Sequence, residues 1–313
     1  MPTTCTLCSA NDFDWMKPKD AKSGEMLHIS LCKQCGLVQQ AQLPTDTELK
    51  IYYSHNYRTD YKQTYHPKPK YVRRAGLAAL ERVRFLSTHL PAKHGTRLLD
   101  IGAGGGEFVY VASKSGFQAT GIEPNQGYSE FAKQQYGIDV RTAMLDEVAG
   151  ASADLVTLFH VFEHMANPHA VIDKIAAVLA PDGYLFIEVP NITQSDASPH
   201  NIYFKAHLFY YGRATLVAMA SRWFEPLEIQ DSGNLRVLFQ KRRAPLPAPN
   251  LPSAAQAKQV ARRLREKGWG EYLFEGGGLL KPVRRLEQML TESRIGDAQP
   301  RALLDQLIAA PRA

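Results

Sequence analysis

The feature that most constrains this chain is Leu98-Leu-Asp-Ile-Gly-Ala-Gly-Gly-Gly-Glu107, an apolar run that breaks into clustered glycines and then into a helical pattern. Glycine takes left-handed backbone conformations without steric cost and lets main chain approach a ligand closely, so a strand, a tight turn and a helix meet here. From residue 96 short apolar stretches alternate with helical ones, the order of a parallel α/β sheet. The pattern predicts strands over 97–101, 119–123, 138–142, 154–159 and 184–189, with helices over 108–114 and 129–136. A third helix is expected to open at Asn167-Pro168, a cap followed by proline in the first turn, and to close at the Pro181-Asp182-Gly183 turn. A helix over 213–222 and strands over 227–231 and 236–240 complete seven strands. Upstream, Leu77, Leu80, Phe85 and Leu86 predict an amphipathic helix ending before Pro91.

All four cysteines precede residue 36, as Cys5-x-x-Cys8 and Cys32-x-x-Cys35. Two such pairs suit a tetrahedral thiolate zinc site, because each turn carries two sulfurs to one metal and Gly36 permits the backbone twist behind the second pair. His28 is an alternative ligand, but four thiolates already close the site, which makes the expected metal structural. A ribbon of this size has little core of its own, so the metal would supply its folding energy.

Residues 46–73 interleave Tyr52, Tyr53, Tyr57, Tyr61, Tyr65 and Tyr71 with Arg58, Lys62, Lys68, Lys70 and Arg73, too polar a mixture for core. Tyr53, Tyr57 and Arg58 are candidate substrate contacts; a surface packing the zinc module onto the body is the other reading. Residues 244–252, APLPAPNLP, form a proline-rich linker. Ser253 to Gln256 then reads as a capping box, and Leu279, Val283, Leu286 and Leu290 recur at helical spacing. That stripe needs a partner, either the rest of this chain or a second subunit in a homo-oligomer joined through the C-terminal helices. The expected segments are 1–45 (zinc ribbon), 46–95 (Tyr/basic connector and helix), 96–243 (sheet core) and 244–313 (linker and helical tail).

Charge excludes some functions once it is divided by region. The chain carries 37 Lys+Arg against 31 Asp+Glu. Residues 241–313 hold 14 basic and 7 acidic groups, leaving 23 and 24 for residues 1–240. A body this neutral is poorly suited to tracking a phosphate backbone. Residues 51–100 hold 10 basic and 3 acidic groups, and 101–200 hold 4 and 12. The basic segments are either solvated faces or a grip on an anionic small molecule. No apolar run approaches the roughly 18 residues of a membrane span, and the first residues lack the order of a signal peptide, so a cytoplasmic protein is expected.

The glycines depart from the dinucleotide fingerprint, which would put glycine where Glu107 stands. Asp100 just ahead of the turn disfavours a pyrophosphate and suits a ligand bearing ammonium or sulfonium charge. Glu123 ends the second strand, where a carboxylate can accept ribose hydroxyls. LLDIGAGGGEF, GIEPN, ADLVTLFHVFEHMANP and LAPDGYLFIEVPN together resemble the class I S-adenosylmethionine-dependent methyltransferases over about residues 75–240. The resemblance implies a Rossmann-like seven-stranded α/β methyltransferase sheet. It also implies S-adenosyl-L-methionine as cofactor, its methionine end on Asp100, Gly102, Ala103 and Gly104 and near His160, its ribose on Glu123 beside Pro124, and its adenine bordered by Met144 and Leu145. The CxxC…CxxCGLVQ stretch with YYS-x-x-Y is similar to bacterial methyltransferases that carry an N-terminal zinc module, several of which act on sugars. Sugar C-methyltransferases carry Tyr-His-Glu-His where this chain reads Phe204-Lys205-Ala206-His207, so C-methylation is not expected.

His160, Glu163 and His164 fall at the C-terminal end of the fourth strand, the edge at which open α/β sheets bind ligands. His164 is the first candidate base, His160 shares a helical face with it at four-residue spacing, and His207 and His200 are further candidates. The expected activity is methyl transfer to oxygen or nitrogen of a small, anionic metabolite such as a nucleotide sugar or a polysaccharide precursor. Two rivals stand beside it. One is an RNA methyltransferase with a zinc ribbon, disfavoured because Phe159-His160-Val161-Phe162 replaces the Asn/Asp-Pro-Pro-aromatic tetrad of base N-methyltransferases. The other is an inactive scaffold on the same fold.

Overall fold

The structure is a computed structural model and describes residues 4–45, 48, 67–91, 95–293, 295–296 and 298–310. In chain order the strands and α-helices are β1 (Phe13–Met16), β2 (Ile29–Cys32), β3 (Val38–Gln40), α1 (Pro69–His89), β4 (Arg97–Ile101), α2 (Glu107–Lys114), β5 (Gln118–Ile122), α3 (Gln126–Tyr136), β6 (Val140–Arg141), β7 (Ala153–Phe159), α4 (Pro168–Val178), β8 (Leu179–Val189), β9 (Phe209–Tyr210), α5 (Arg213–Ala220), β10 (Phe224–Gln230), β11 (Leu235–Lys241), α6 (Ala254–Glu266), α7 (Trp269–Phe274), α8 (Lys281–Ser293) and α9 (Pro300–Ala309). Seven strands form one sheet in the order β10-β11-β8-β7-β4-β5-β6. The chain divides into two compact units: residues 1–46, 159–176 and 185–284 form one, and 47–158, 177–184 and 285–313 the other.

In the second unit β4 runs parallel to both β5 and β7, in register from Leu98 opposite Ala119 and Leu155. Leu155, Val156 and Leu158 are fully buried, the near-continuous apolar run that a parallel strand covered on both faces requires. Burying each such side chain stabilises the fold by roughly 1.5–3 kcal/mol. Helix α1 turns Val72, Gly76, Ala79, Val83 and Leu86 inward, whereas Leu77 is exposed. The expected stripe is thus corrected in part: Leu86 is buried as expected but Leu77 faces solvent, and Gly76 and Ala79 let α9 pack closely on α1, with Leu304 and Leu307 set against Gly76. Tyr110 on α2 donates to Asp305 at 2.5 Å, a further tie to α9.

In the first unit β1, β2, β3 and β9 form a four-stranded sheet. The hairpin β10–β11 is antiparallel with a bulge between Pro226 and Glu228. Ser253 caps α6 as the sequence predicts, with Gln256 Oε1 accepting from Ser253 N at 2.8 Å. Ala257 and Val260 on α6 pack over Gly36, which has φ +77°.

Two other expectations change. Helix α4 ends at Val178 and strand β8 begins at Leu179, so Pro181-Asp182-Gly183 lies within the strand as an irregularity with Asp182 at φ +58°. On α8 and just before it, Leu279, Val283, Leu286 and Leu290 are all more than half exposed, so no described residue of this chain covers the stripe. No helix among the described residues is long and apolar enough to cross a membrane.

Candidate functional site

The second unit builds its site from backbone. Strand β4 delivers Asp100, 2% exposed, whose Oδ1 accepts from Thr157 Oγ1 at 2.7 Å. Burial lifts its carboxyl to about 7 against the pull of that hydrogen bond. Gly102, Gly104 and Gly106 follow at φ +73°, +54° and +85°, three left-handed residues that only glycine adopts readily. Gly102 N and Ala103 N both donate to Ile122 O, at 2.9 and 3.0 Å, which locks the turn onto the end of β5. Immediately after β5, Glu123 is 9% exposed. Its Oε2 accepts from Gly104 N and its Oε1 from Asn125 N, both at 3.0 Å. Asn125 caps α3 by accepting from Tyr128 N at 3.3 Å, and Pro124 sits between Glu123 and Asn125. Met144 N donates to Glu147 Oε1 at 2.8 Å and, with Leu145, opens a short 3₁₀ turn.

The first unit builds its site from side chains. His160 has φ +55°, rare for a histidine and so a point of backbone strain. The expected helical face shared by His160 and His164 is therefore absent: only Phe162–His164 form a 3₁₀ turn, and His160 precedes it in a left-handed conformation. Its ring lies between two buried carboxylates, Nδ1 at 3.6 Å from Glu163 Oε1 and Nε2 at 3.3 Å from Glu188 Oε1. Burial opposes the charge on His160, but Glu163 and Glu188 outweigh it and push the ring up to about 9. Arg236 Nε donates to Glu188 Oε2 at 3.1 Å, and Asn234 Nδ2 donates to Glu188 Oε1 at 2.9 Å while lying 3.2 Å from His160 Nε2.

His164 Nδ1 lies 2.7 Å from Ala206 O, and a carbonyl can only accept, so that nitrogen carries the proton and fixes the ring. Its Nε2 is 3.9 Å from Glu163 Oε1. Glu163 is 1% exposed and neither of its oxygens has a hydrogen-bond partner among the described residues. Burial works against its ionisation, yet His160, His164 and His207 hold it below the usual carboxylate range. His207 packs edge-on against His164 with ring centroids 4.9 Å apart, and burial together with that neighbour pushes it down to about 4. Ligand atoms of Glu163, His164 and His207 all lie within 4.8 Å of one another, a spacing compatible with a shared cation. His200 is exposed, packs on Trp269 at 5.4 Å, and does not join this cluster. Tyr53, Tyr57 and Arg58 lie outside the described residues.

Sequence reasoning passed over Glu188, Asn234 and Arg236. A carboxylate inside the apolar run Leu185-Phe-Ile-Glu-Val189 was the available signal, since a buried acid requires partners.

The four cysteines converge with Cys5 and Cys35 Sγ 3.6 Å apart and Cys8 and Cys32 Sγ 3.5 Å apart. These separations are far beyond a disulfide and close to the ~3.8 Å edge of a tetrahedron with 2.3 Å metal–sulfur bonds. The donor set therefore fits zinc. His28 is exposed and outside the set.

Residues 71–269 match the family model described as "Methyltransferase domain". The ubiquinone biosynthesis O-methyltransferase of Haemophilus ducreyi is 31% identical over 124 residues, 36% of this chain and 52% of that protein. The enzyme of the same name from Xanthomonas euvesicatoria is 31% identical over 120 residues, 36% of this chain and 50% of that protein. The chain thus spans about half the length of the curated relatives it matches. Among solved structures, an S-adenosylmethionine-dependent methyltransferase from Mesorhizobium loti aligns with a TM-score of 0.44 at 15% identity, covering 50% of this chain and 96% of that one.

Proposed function

Because the chain belongs to the methyltransferase-domain family, we propose that it transfers a methyl group from S-adenosylmethionine to an oxygen or nitrogen of a small, anionic metabolite, with nucleotide sugars and polysaccharide precursors within that class. The observation that carries the reading is the bond from Gly104 N to Glu123 Oε2, which ties the glycine turn after β4 to the acid after β5. Oxygen is the preferred acceptor atom, in keeping with the O-methyltransferases named among the relatives.

When bound, the cofactor supplies an electrophilic methyl on a sulfonium centre. Gly102, Ala103 and Gly104 would let main chain approach its methionine end, and ionised Asp100 would offset its positive charge. Glu123 would accept the ribose hydroxyls beside Pro124, and Met144 and Leu145 would border the adenine. An in-line displacement depends first on alignment of donor and acceptor, and a hydroxyl acceptor must also lose its proton. His164 is assigned that proton. With Nδ1 committed to Ala206 O, its lone pair is on Nε2, beside Glu163, whose negative charge would stabilise the imidazolium formed. His160, kept charged by Glu163 and Glu188, is unsuited to accept a proton at neutral pH and would instead polarise or position ligand. Cys5, Cys8, Cys32 and Cys35 would hold a structural zinc, since four thiolates leave no coordination position for chemistry.

The test is mass spectrometry after incubation with isotopically methyl-labelled S-adenosylmethionine and a fractionated pool of anionic metabolites. A labelled small molecule and stoichiometric demethylated cofactor are expected. Label recovered only in added RNA, or no turnover of bound cofactor with any fraction, would contradict the proposal.

A further inference from the structure

Within the first unit a cavity of about 230 Å³ is bounded by Ile192, Phe204 and Phe209 on its apolar side and by Asn201, His207 and Asn234 among its polar groups. Lys267, at the C-terminal end of α6, lines it too and is its one lysine or arginine; Asp196 on the rim is exposed to solvent. The sequence predicts a tail after the proline-rich linker, yet that segment holds the loop that contributes Asp196 and Ala197 to the cavity wall. Arg263 Nη2 donates to Thr193 O at 3.1 Å, Lys267 Nζ donates to Gln194 O, and Lys281 Nζ donates to Asp196 O. Gly276 lies so close to Ser195 O that no side chain fits there, and Trp269 packs on His200. The loop 193–200 is thus held by 263–281 at five places.

We propose that this cavity binds the methyl acceptor as a single ring carrying a carboxylate, with Lys267 as the specificity-determining cation; the proposal rests on the methyltransferase reading above and names its substrate class. Size suits one ring: an apolar cavity of about 150 Å³ accommodates benzene, so about 230 Å³ takes one substituted ring, with the rest of a larger acceptor left outside. Charge supports an anion: the ammonium has three N–H donors, Gln194 O occupies one, and two remain for a carboxylate. Asn201 and Asn234 add amide groups suited to ring hydroxyls, and His207, which closes the same cavity, packs directly on His164. A hydroxyl on the ring would therefore be held in the cavity that the histidine cluster borders.

Ligand-observed NMR on the full, metal-loaded chain tests this with two pairs of probes, para-hydroxybenzoate against para-hydroxybenzamide and galacturonate against galactose. One carboxylate should bind at least about tenfold more tightly than its neutral partner, and the pair that shows it identifies the ring as aromatic or sugar. Lys267→Gln should abolish the preference and Lys267→Arg should restore most of it. Independently of any variant, the preferred carboxylate should slow reductive methylation of Lys267 in the wild-type chain. Equal binding within both pairs, no binding of either carboxylate at millimolar concentration, unprotected Lys267, or a preference that survives in Lys267→Gln would overturn the proposal. Calorimetry with S-adenosylmethionine on the same samples separates the two readings. Cofactor binding without a carboxylate preference removes only this proposal, whereas the preference without cofactor binding removes the methyltransferase reading and its acceptor assignment.

Discussion

The glycine turn and the histidine cluster solve the same problem, fixing polar groups for chemistry, by opposite means. At Gly102 to Gly106 the placement is done by main chain: left-handed residues and amides on Ile122 O and Glu123. Around His160 it is done by side chains from separated parts of the sequence, with Glu163, Glu188, Asn234 and Arg236 converging on or behind one strained residue. Main-chain placement tolerates most substitutions outside the glycines, whereas a side-chain cluster fails when one partner is removed. The two regions should therefore differ in how mutation affects binding and rate.

The largest effect is expected at His164. Its replacement by Ala should cut turnover on a hydroxyl acceptor by roughly 10²–10⁴-fold with cofactor affinity nearly unchanged, read by steady-state kinetics beside calorimetry. Equal loss of binding and rate would erase the contrast between the regions. Zinc comes next. Cys32→Ala should release the metal from the four-sulfur set and melt the 4–45 segment, seen as lost protection in hydrogen exchange, because a small ribbon depends on its metal to fold. Retained zinc with unchanged protection would refute the structural assignment.

Much of the first region was readable in the sequence because its determinants are local. Asp100, the glycines and Glu123 occupy the ends of consecutive strands, and the observed strands at 97–101 and 118–122 match their predicted bounds within a residue. The second region was readable only in part. His160, Glu163 and His164 lie in one pentapeptide, but Glu188 and Arg236 join them through sheet pairing that no local pattern encodes. The helical face assumed for His160 failed because its φ is +55°, a conformation set by tertiary context. Lys267 was hidden for a similar reason, since its role depends on a loop more than 60 residues earlier in the chain.

Two smaller effects concern protons. Asp100 is held at about 7, so cofactor affinity should strengthen as pH rises through that value and its carboxylate forms beside the sulfonium; Asp100→Asn should flatten the profile. His160 titrates near 9, above its unfolded value of about 6.5. Its contribution to stability is therefore fully present below about pH 6.5 and lost as pH rises through 9. Glu188→Gln should move that loss to lower pH in thermal melts, and an unaltered pH dependence would show that Glu188 does not hold the charge.

The central claim is that the glycine turn and Glu123 form the cofactor site, and isothermal calorimetry with S-adenosylmethionine on the wild type and Glu123→Ala tests it most directly. The account predicts saturable binding near one equivalent, weakened by roughly 1–3 kcal/mol in the variant, with no comparable binding of NADH. Wild-type binding that Glu123→Ala leaves unchanged, or preferential binding of NADH, would contradict it.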